Sequence, residues 1–158
     1  VKSLFLLRHA KAISGELSLP DYDRPLSDRG FKDSQYLAAK LVKKNIDFDL
    51  FLTSHAIRAI TTAQILANAL GHKQKHIAVE KVIYEGDVAE ILELISHASK
   101  KVNSIILVGH NPSISELACR LAREPISMAT CCLIEFSMDI KRWDSLLSVK
   151  SSKVRVLN

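Results

Sequence analysis

Short apolar runs alternate with longer amphipathic segments along nearly the whole chain, and this alternation restricts the fold more than any other feature. Residues 4–7, Leu-Phe-Leu-Leu, form a continuous apolar run of the kind buried on both faces of a parallel sheet. A polar loop containing Pro20, Asp21, Asp23 and Pro25 follows. Ser27 then caps a predicted helix reaching Lys44, with Phe31, Leu37, Ala38, Leu41 and Val42 as its apolar stripe. Residues 48–53 read as a second strand. Ser54 caps a second helix in which Ile57, Ile60, Ala63, Ala67 and Leu70 recur at helical spacing, until Gly71 ends it. Residues 77–83 give a third strand, 88–95 a third helix, 104–108 a fourth strand and 112–123 a fourth helix. Ser113 and Glu116 fit a capping box at the start of that last helix. Residues 133–138 and 145–149 read as two closing strands, a hairpin or edge pair around Trp143.

Helices that alternate with strands at this spacing must cover both faces of the sheet. The expected fold class is therefore α/β: a three-layer sandwich with a mostly parallel central sheet. The chain of 158 residues fits one domain, 1–158, long enough to bury a core without metal or disulfide support. Five Gly and four Pro exclude collagenous and disordered classes, and no apolar run approaches the ~18 residues of a membrane span. The apolar start passes at once into Arg8 and His9, with no signal-like core or cleavage site, so a cytoplasmic location is expected. Three cysteines without a spaced framework point to reduced thiols, Cys119 in a helix core and the Cys131–Cys132 pair on opposite faces of a strand.

The net charge of +5 is spread over many lysines, and aromatic residues make up only 6% of the chain, without basic residues interleaved. That pattern argues against nucleic acid and for an anionic substrate or an acidic partner.

In open α/β sheets, ligands bind beyond the carboxyl ends of the strands. Just past those ends lie Arg8 and His9, Ser54 and Arg58, Tyr84 and Glu85, and His110. Two arginines and two histidines on one rim make a cationic pocket whose guanidinium forks match phosphoryl oxygens. Arg58 falls in the first turn of its helix, where free N–H groups and the helix dipole favour anions. Cationic neighbours disfavour imidazolium, which leaves His9 a neutral nucleophile for in-line attack on phosphorus. Arg8, Arg58 and His110 then neutralise the transition state. His72 and His76, four apart but beyond Gly71, read as surface residues rather than metal ligands, and Asp21 and Asp23 read as turn residues. Lys11 reads equally as phosphate-facing or solvent-facing, and His55 as supporting or exposed. No cofactor is implied.

Four motifs carry a resemblance. The run Leu6-Leu7-Arg8-His9-Ala10-Lys11-Ala12, the loop Asp23-Arg24-Pro25-Leu26-Ser27-x-x-Gly30, the segment Thr53-Ser54-x-x-x-Arg58-Ala59-x-x-Thr62-Ala63 and Val108-Gly109-His110-Asn111-Pro112 resemble the histidine phosphatase superfamily, and within it the small SixA-type phosphohistidine phosphatases. The resemblance implies a phosphoglycerate-mutase-like fold, His9 as nucleophile and a phosphate pocket of Arg8, Arg58 and His110. Ala10 stands where much of the superfamily has Gly, a change tolerated if the turn avoids positive φ. The resemblance also makes Glu85 the candidate proton donor, although it reads equally as a solvated carboxylate at a helix start beside Asp87 and Glu90.

The resemblance implies that small members with bare sites accept phosphate carried on a protein; with no long insertion to form a lid, and imidazole leaving more readily than an alkoxide, the expected substrate is a phosphohistidine on a protein. The alternatives are a small-molecule phosphate-ester phosphatase or mutase of the same superfamily, and a non-catalytic phosphoprotein-binding module using the same pocket.

Overall fold

The computed structural model describes residues 1–15, 18–150 and 152–158. Its strands are β1 (Lys2–Arg8), β2 (Leu50–Thr53), β3 (Ile77–Val79), β4 (Ser104–Gly109), β5 (Leu133–Met138) and β6 (Lys153–Val156). Its helices are α1 (Asp28–Lys43), α2 (Ile57–Ala69), α3 (Val82–Glu85), α4 (Val88–Ser96) and α5 (Ser113–Ala122). The six strands form one sheet in the order β3-β2-β4-β1-β5-β6. β1, β2, β3 and β4 run parallel, and β5 and β6 are added antiparallel at one side. The expected α/β sandwich with a mostly parallel sheet is the fold observed.

Strand pleating explains the two-faced burial. Leu4 and Leu6 of β1 join Ile105 and Leu107 of β4 in the core under α4 and α5, while Phe5, Leu7, Ile106 and Val108 join the core under α1 and α2. Leu4, Leu6 and Leu7 are wholly buried, each contributing about 2 kcal/mol of apolar transfer. Register then places the site. Arg8 pairs with Gly109 and Thr53 with Val108, so β1, β2 and β4 end side by side and release His9, Ser54 and His110 at one rim.

Several local expectations are corrected. The third strand stops at Val79, because residues 82–85 close a helical turn with Gly86 N–H donating to Val82 O at 2.8 Å. Residues 145–149 lie mostly in a 3-10 segment, Trp143–Ser148, which buries Trp143 and Leu146, and the last strand is β6. Ser54 does not cap α2; the cap position is Ala56, and the Ser54 hydroxyl turns to His110 instead. Ser113 and Glu116 form no capping box, whereas Asp87 and Glu90 form one at α4. Phe31, Val42 and Ile57 face solvent, since the buried stripes pass through Ser34, Leu37, Ala38 and Leu41 of α1 and through Arg58, Ala59, Thr62 and Ala63 of α2. Cys131 sits in a turn at φ 61°, ahead of β5 rather than in a strand, and Cys119 is only half-buried on α5. No helix among the described residues is long and apolar enough to cross a membrane.

Candidate active site

The strand ends open onto a cavity of about 440 Å³ lined by Arg8, His9, Lys11, Arg58 and His110, together with Asp21, Arg24, Asn111 and neighbouring backbone. Four of the five predicted site residues therefore meet.

His9 follows β1 directly and continues its ladder, its N–H donating to Gly109 O at 3.1 Å. The residue is 7% exposed. Its Nδ1 lies 2.7 Å from Ala10 O, so Nδ1–H donates there and the lone pair is left on Nε2. Burial, reinforced by Arg58, Arg8 and Arg24, lowers the His9 pKa to about 4 against the opposing pull of the Ala10 carbonyl. His9 is thus neutral at pH 7, with its unprotonated Nε2 accepting the Nε–H of Arg58 at 3.3 Å.

His110 stands on the other side, its ring 5.0 Å from that of His9. The Ser54 hydroxyl, which accepts the Ala56 N–H at 3.3 Å, also hydrogen-bonds His110 Nε2, 2.5 Å away. The Nδ1 of His110 is buried with no partner. Burial, then the neighbouring His9 and Arg58, lower the His110 pKa to about 3. Tyr84 braces the ring edge-on at 5.2 Å.

The loop after β1 is held by contacts that explain the motif residues. Thr62 Oγ1 accepts Ala10 N–H at 3.1 Å and donates to Arg58 O at 2.7 Å, tying α2 to the nucleophile's loop. Ala10, Ala59 and Ala63 are fully buried, and Ala10 is not among the residues at positive φ. Ser27 donates from N and Oγ to Lys11 O, and a Cβ on Gly30 would lie 2.1 Å from that same oxygen. Glycine is therefore required where α1 meets the loop. Across the site, Cys131 N–H donates to Arg8 O and His9 O.

The two arginines differ. Arg8 is half-buried; its Nη1 donates to Met128 O at 3.1 Å while Nε is buried without a partner. Arg58 is 5% exposed, with Nη1 donating to Asp21 O at 2.7 Å and Nη2 to Asp21 Oδ2 at 2.9 Å.

Glu85 is not brought to the cavity. It ends α3, exposed, and the same turn directs Tyr84 inward in its place. The carboxylate that does reach the cavity is Asp21, read from sequence as a turn residue. It lies in a 3-10 turn, Asp21–Asp23, whose loop folds back over the strand ends. The only signal for it in the sequence is its spacing three residues before Arg24. A hydrogen bond from Tyr84, then those from Arg58 and Arg24, hold the Asp21 carboxyl well below the usual carboxylate range. Lys11 is exposed on the cavity wall, and His55 packs between Tyr22 and Tyr84 away from the lining. His72 bonds Asp47, and among the described residues no group of three or more His, Cys, Asp or Glu gathers to hold a metal.

The model of the histidine phosphatase superfamily (branch 1) matches residues 4–87. An uncharacterised chloroplastic protein of Arabidopsis thaliana is 31% identical over 138 residues, covering 82% of this chain and 63% of that protein. The chain thus spans less than two thirds of that relative. An uncharacterised protein of Mycobacterium tuberculosis is 32% identical over 117 residues, covering 73% of this chain and 70% of its own length. Among solved structures, a candidate phosphohistidine phosphatase SixA from Agrobacterium tumefaciens superposes with TM-score 0.79 at 26% identity, covering 99% of this chain and 96% of that one. The protein histidine phosphatase SixA complexed with tungstate shares the fold, with TM-score 0.80 at 21% identity, covering 97% of this chain and 94% of its own.

Proposed function

The chain belongs to the histidine phosphatase superfamily (branch 1), and on that premise we propose that it acts as one catalytic domain, a metal-independent phosphatase that removes a phosphoryl group from histidine on a protein. The observation that carries this reading is the convergence of His9, Arg8, Arg58 and His110 on one open cavity, with the attacking nitrogen of His9 unprotonated.

In the proposed cycle, His9 Nε2 attacks phosphorus in line and the bond to the leaving imidazole breaks. The electron pair goes to that imidazole, which takes a proton from solvent. Water then attacks the phosphohistidine, the His9–phosphorus bond breaks, and inorganic phosphate and neutral His9 are regenerated. Arg8 and Arg58 neutralise the equatorial oxygens, and His110, in the tautomer that protonates its unpartnered Nδ1, donates to them as well.

The choice of phosphoramidate over ester rests on the missing acid. An alkoxide needs a proton as it leaves, yet Asp21, the carboxylate among the cavity's described lining residues, is held ionised, and Glu85 lies outside. Imidazole leaves without such help. The open cavity also admits a side chain presented by a protein surface.

Hydrolysis of a phosphohistidine peptide, followed with chelator present beside sugar and glycerate phosphates, tests the proposal. Preferential release from the peptide, lost in His9→Ala, is the expected result. Faster release from the esters would favour a small-molecule phosphatase, and binding without release a recognition module.

A further inference from the structure

Asp21 gathers contacts from three separate segments although its side chain is 51% exposed. Oδ1 accepts from Arg24 Nε at 3.1 Å and Nη2 at 2.9 Å. Oδ2 accepts from Arg58 Nη2 at 2.9 Å and from the Tyr84 hydroxyl at 2.6 Å. The backbone carbonyl accepts from Arg58 Nη1 at 2.7 Å. One residue thereby holds both terminal nitrogens of Arg58. A guanidinium is planar, so fixing two of its nitrogens fixes the direction of the third. That third nitrogen, Nε, faces Nε2 of His9.

We propose that Asp21 is the positioning residue of the site: its carboxylate locks the plane of Arg58 so that Nε–H, held on His9 Nε2 at rest, passes to an oxygen of the phosphoryl group as that nitrogen attacks, while its negative charge weakens the hold of the cavity on a bound oxyanion. The two effects have opposite signs. Orientation of Arg58 favours the transition state, and the nearby anion disfavours the bound ground state and the phosphate product. A residue that merely tied down the loop would, when removed, weaken phosphate binding and turnover together. The kinetic half of the inference rests on the phosphatase reading; the geometric half does not.

Two variants of the full chain separate these contributions. Asp21→Asn removes the charge at nearly constant size, and Asp21→Glu keeps the charge but shifts the carboxylate by one methylene. Three readouts apply: the Arg58 Nε–H resonance by NMR, the Kd for inorganic phosphate, and kcat on a phosphohistidine peptide. For Asp21→Asn, the Nε–H resonance is expected to broaden or vanish, the Kd to fall roughly three- to tenfold, and kcat to drop about 10- to 100-fold. For Asp21→Glu, kcat is expected to drop while the Kd stays unchanged. An unaltered Nε–H resonance, or a Kd that rises as kcat falls, would overturn the proposal, and either result in one variant is enough. If the unmodified chain releases no phosphate, the phosphatase reading fails, while the resonance and the Kd still judge Asp21. If it turns over normally and Asp21→Asn does too, the reading stands and the inference fails.

Discussion

Arg58 meets His9 side chain to side chain, its Nε 3.3 Å from the imidazole Nε2, although both residues are almost fully buried and come from elements 49 positions apart. The buried guanidinium beside a neutral imidazole is compensated by Asp21, which pairs with both of its terminal nitrogens. The arrangement keeps a strong positive charge against the atom proposed to receive the phosphoryl group. It also keeps that atom unprotonated.

Replacing Arg58 by Ala should lower kcat on a phosphohistidine peptide by about 10²- to 10³-fold, the usual scale for losing one transition-state donor. Arg58→Lys should recover little, because an ammonium cannot bond Asp21 with two nitrogens and face His9 at once. Steady-state kinetics with both variants check this, and near-normal rates for the Lys variant would remove the role given to guanidinium geometry.

Turnover should stay flat from about pH 8 to pH 5 and decline as pH falls through about 4, where His9 takes up a proton. Stability follows the same group. His9 is held neutral in the folded chain with its pKa below the unfolded value of 6.5, so the unfolded chain binds the extra proton first. Its contribution is complete above pH 6.5, is lost as pH falls from there to about 4, and does not change further below, amounting to about 3 kcal/mol. Urea unfolding of the protein and of His9→Asn across that window measures the difference.

Gly30→Ala should loosen the loop after β1, because the new Cβ would collide with Lys11 O at 2.1 Å. A loss of about 1–3 kcal/mol in urea unfolding is expected, with a raised KM as the loop carrying Lys11 is displaced. Unchanged stability would mean that α1 does not press on the loop.

Glu85→Gln should leave turnover of phosphoramidate and ester within about twofold of the parent, since the side chain lies outside the cavity. A selective loss on esters would restore it as a proton donor.

Cys131 should react with thiol reagents only on unfolding, its thiol being buried and its pKa pushed up to about 12 by that burial. Pulsed alkylation with peptide mapping tests this, and rapid labelling of Cys131 in the native chain would contradict it.

The parts of the fold legible in the sequence are those fixed by short-range pattern. Leu4 to Leu7 and Ile105 to Val108 are buried on both faces and read as continuous apolar runs, and the residues directly after such runs, His9 and His110, are positioned by the ends of the strands. Contacts made by folding back are not legible. Asp21 reaches Arg58 across 37 positions, and locally only its spacing to Arg24 separates it from an ordinary turn residue such as Asp23. Ser54 looks like a helix cap because its chemistry suits one, yet a partner 56 positions away takes its hydroxyl. Glu85 is misplaced for a related reason: reading residues 77–83 as one strand hides the helical turn over 82–85, which leaves Glu85 exposed and brings Tyr84 to Asp21.

The central claim is that His9 carries the phosphoryl group in passing. Mass spectrometry of protein quenched within milliseconds of mixing with a phosphohistidine peptide tests it most directly. An acid-labile phosphate mapped to His9, absent from His9→Ala, is the expected result; turnover with no phosphate on His9 at any time point, or full turnover by His9→Ala, would contradict it.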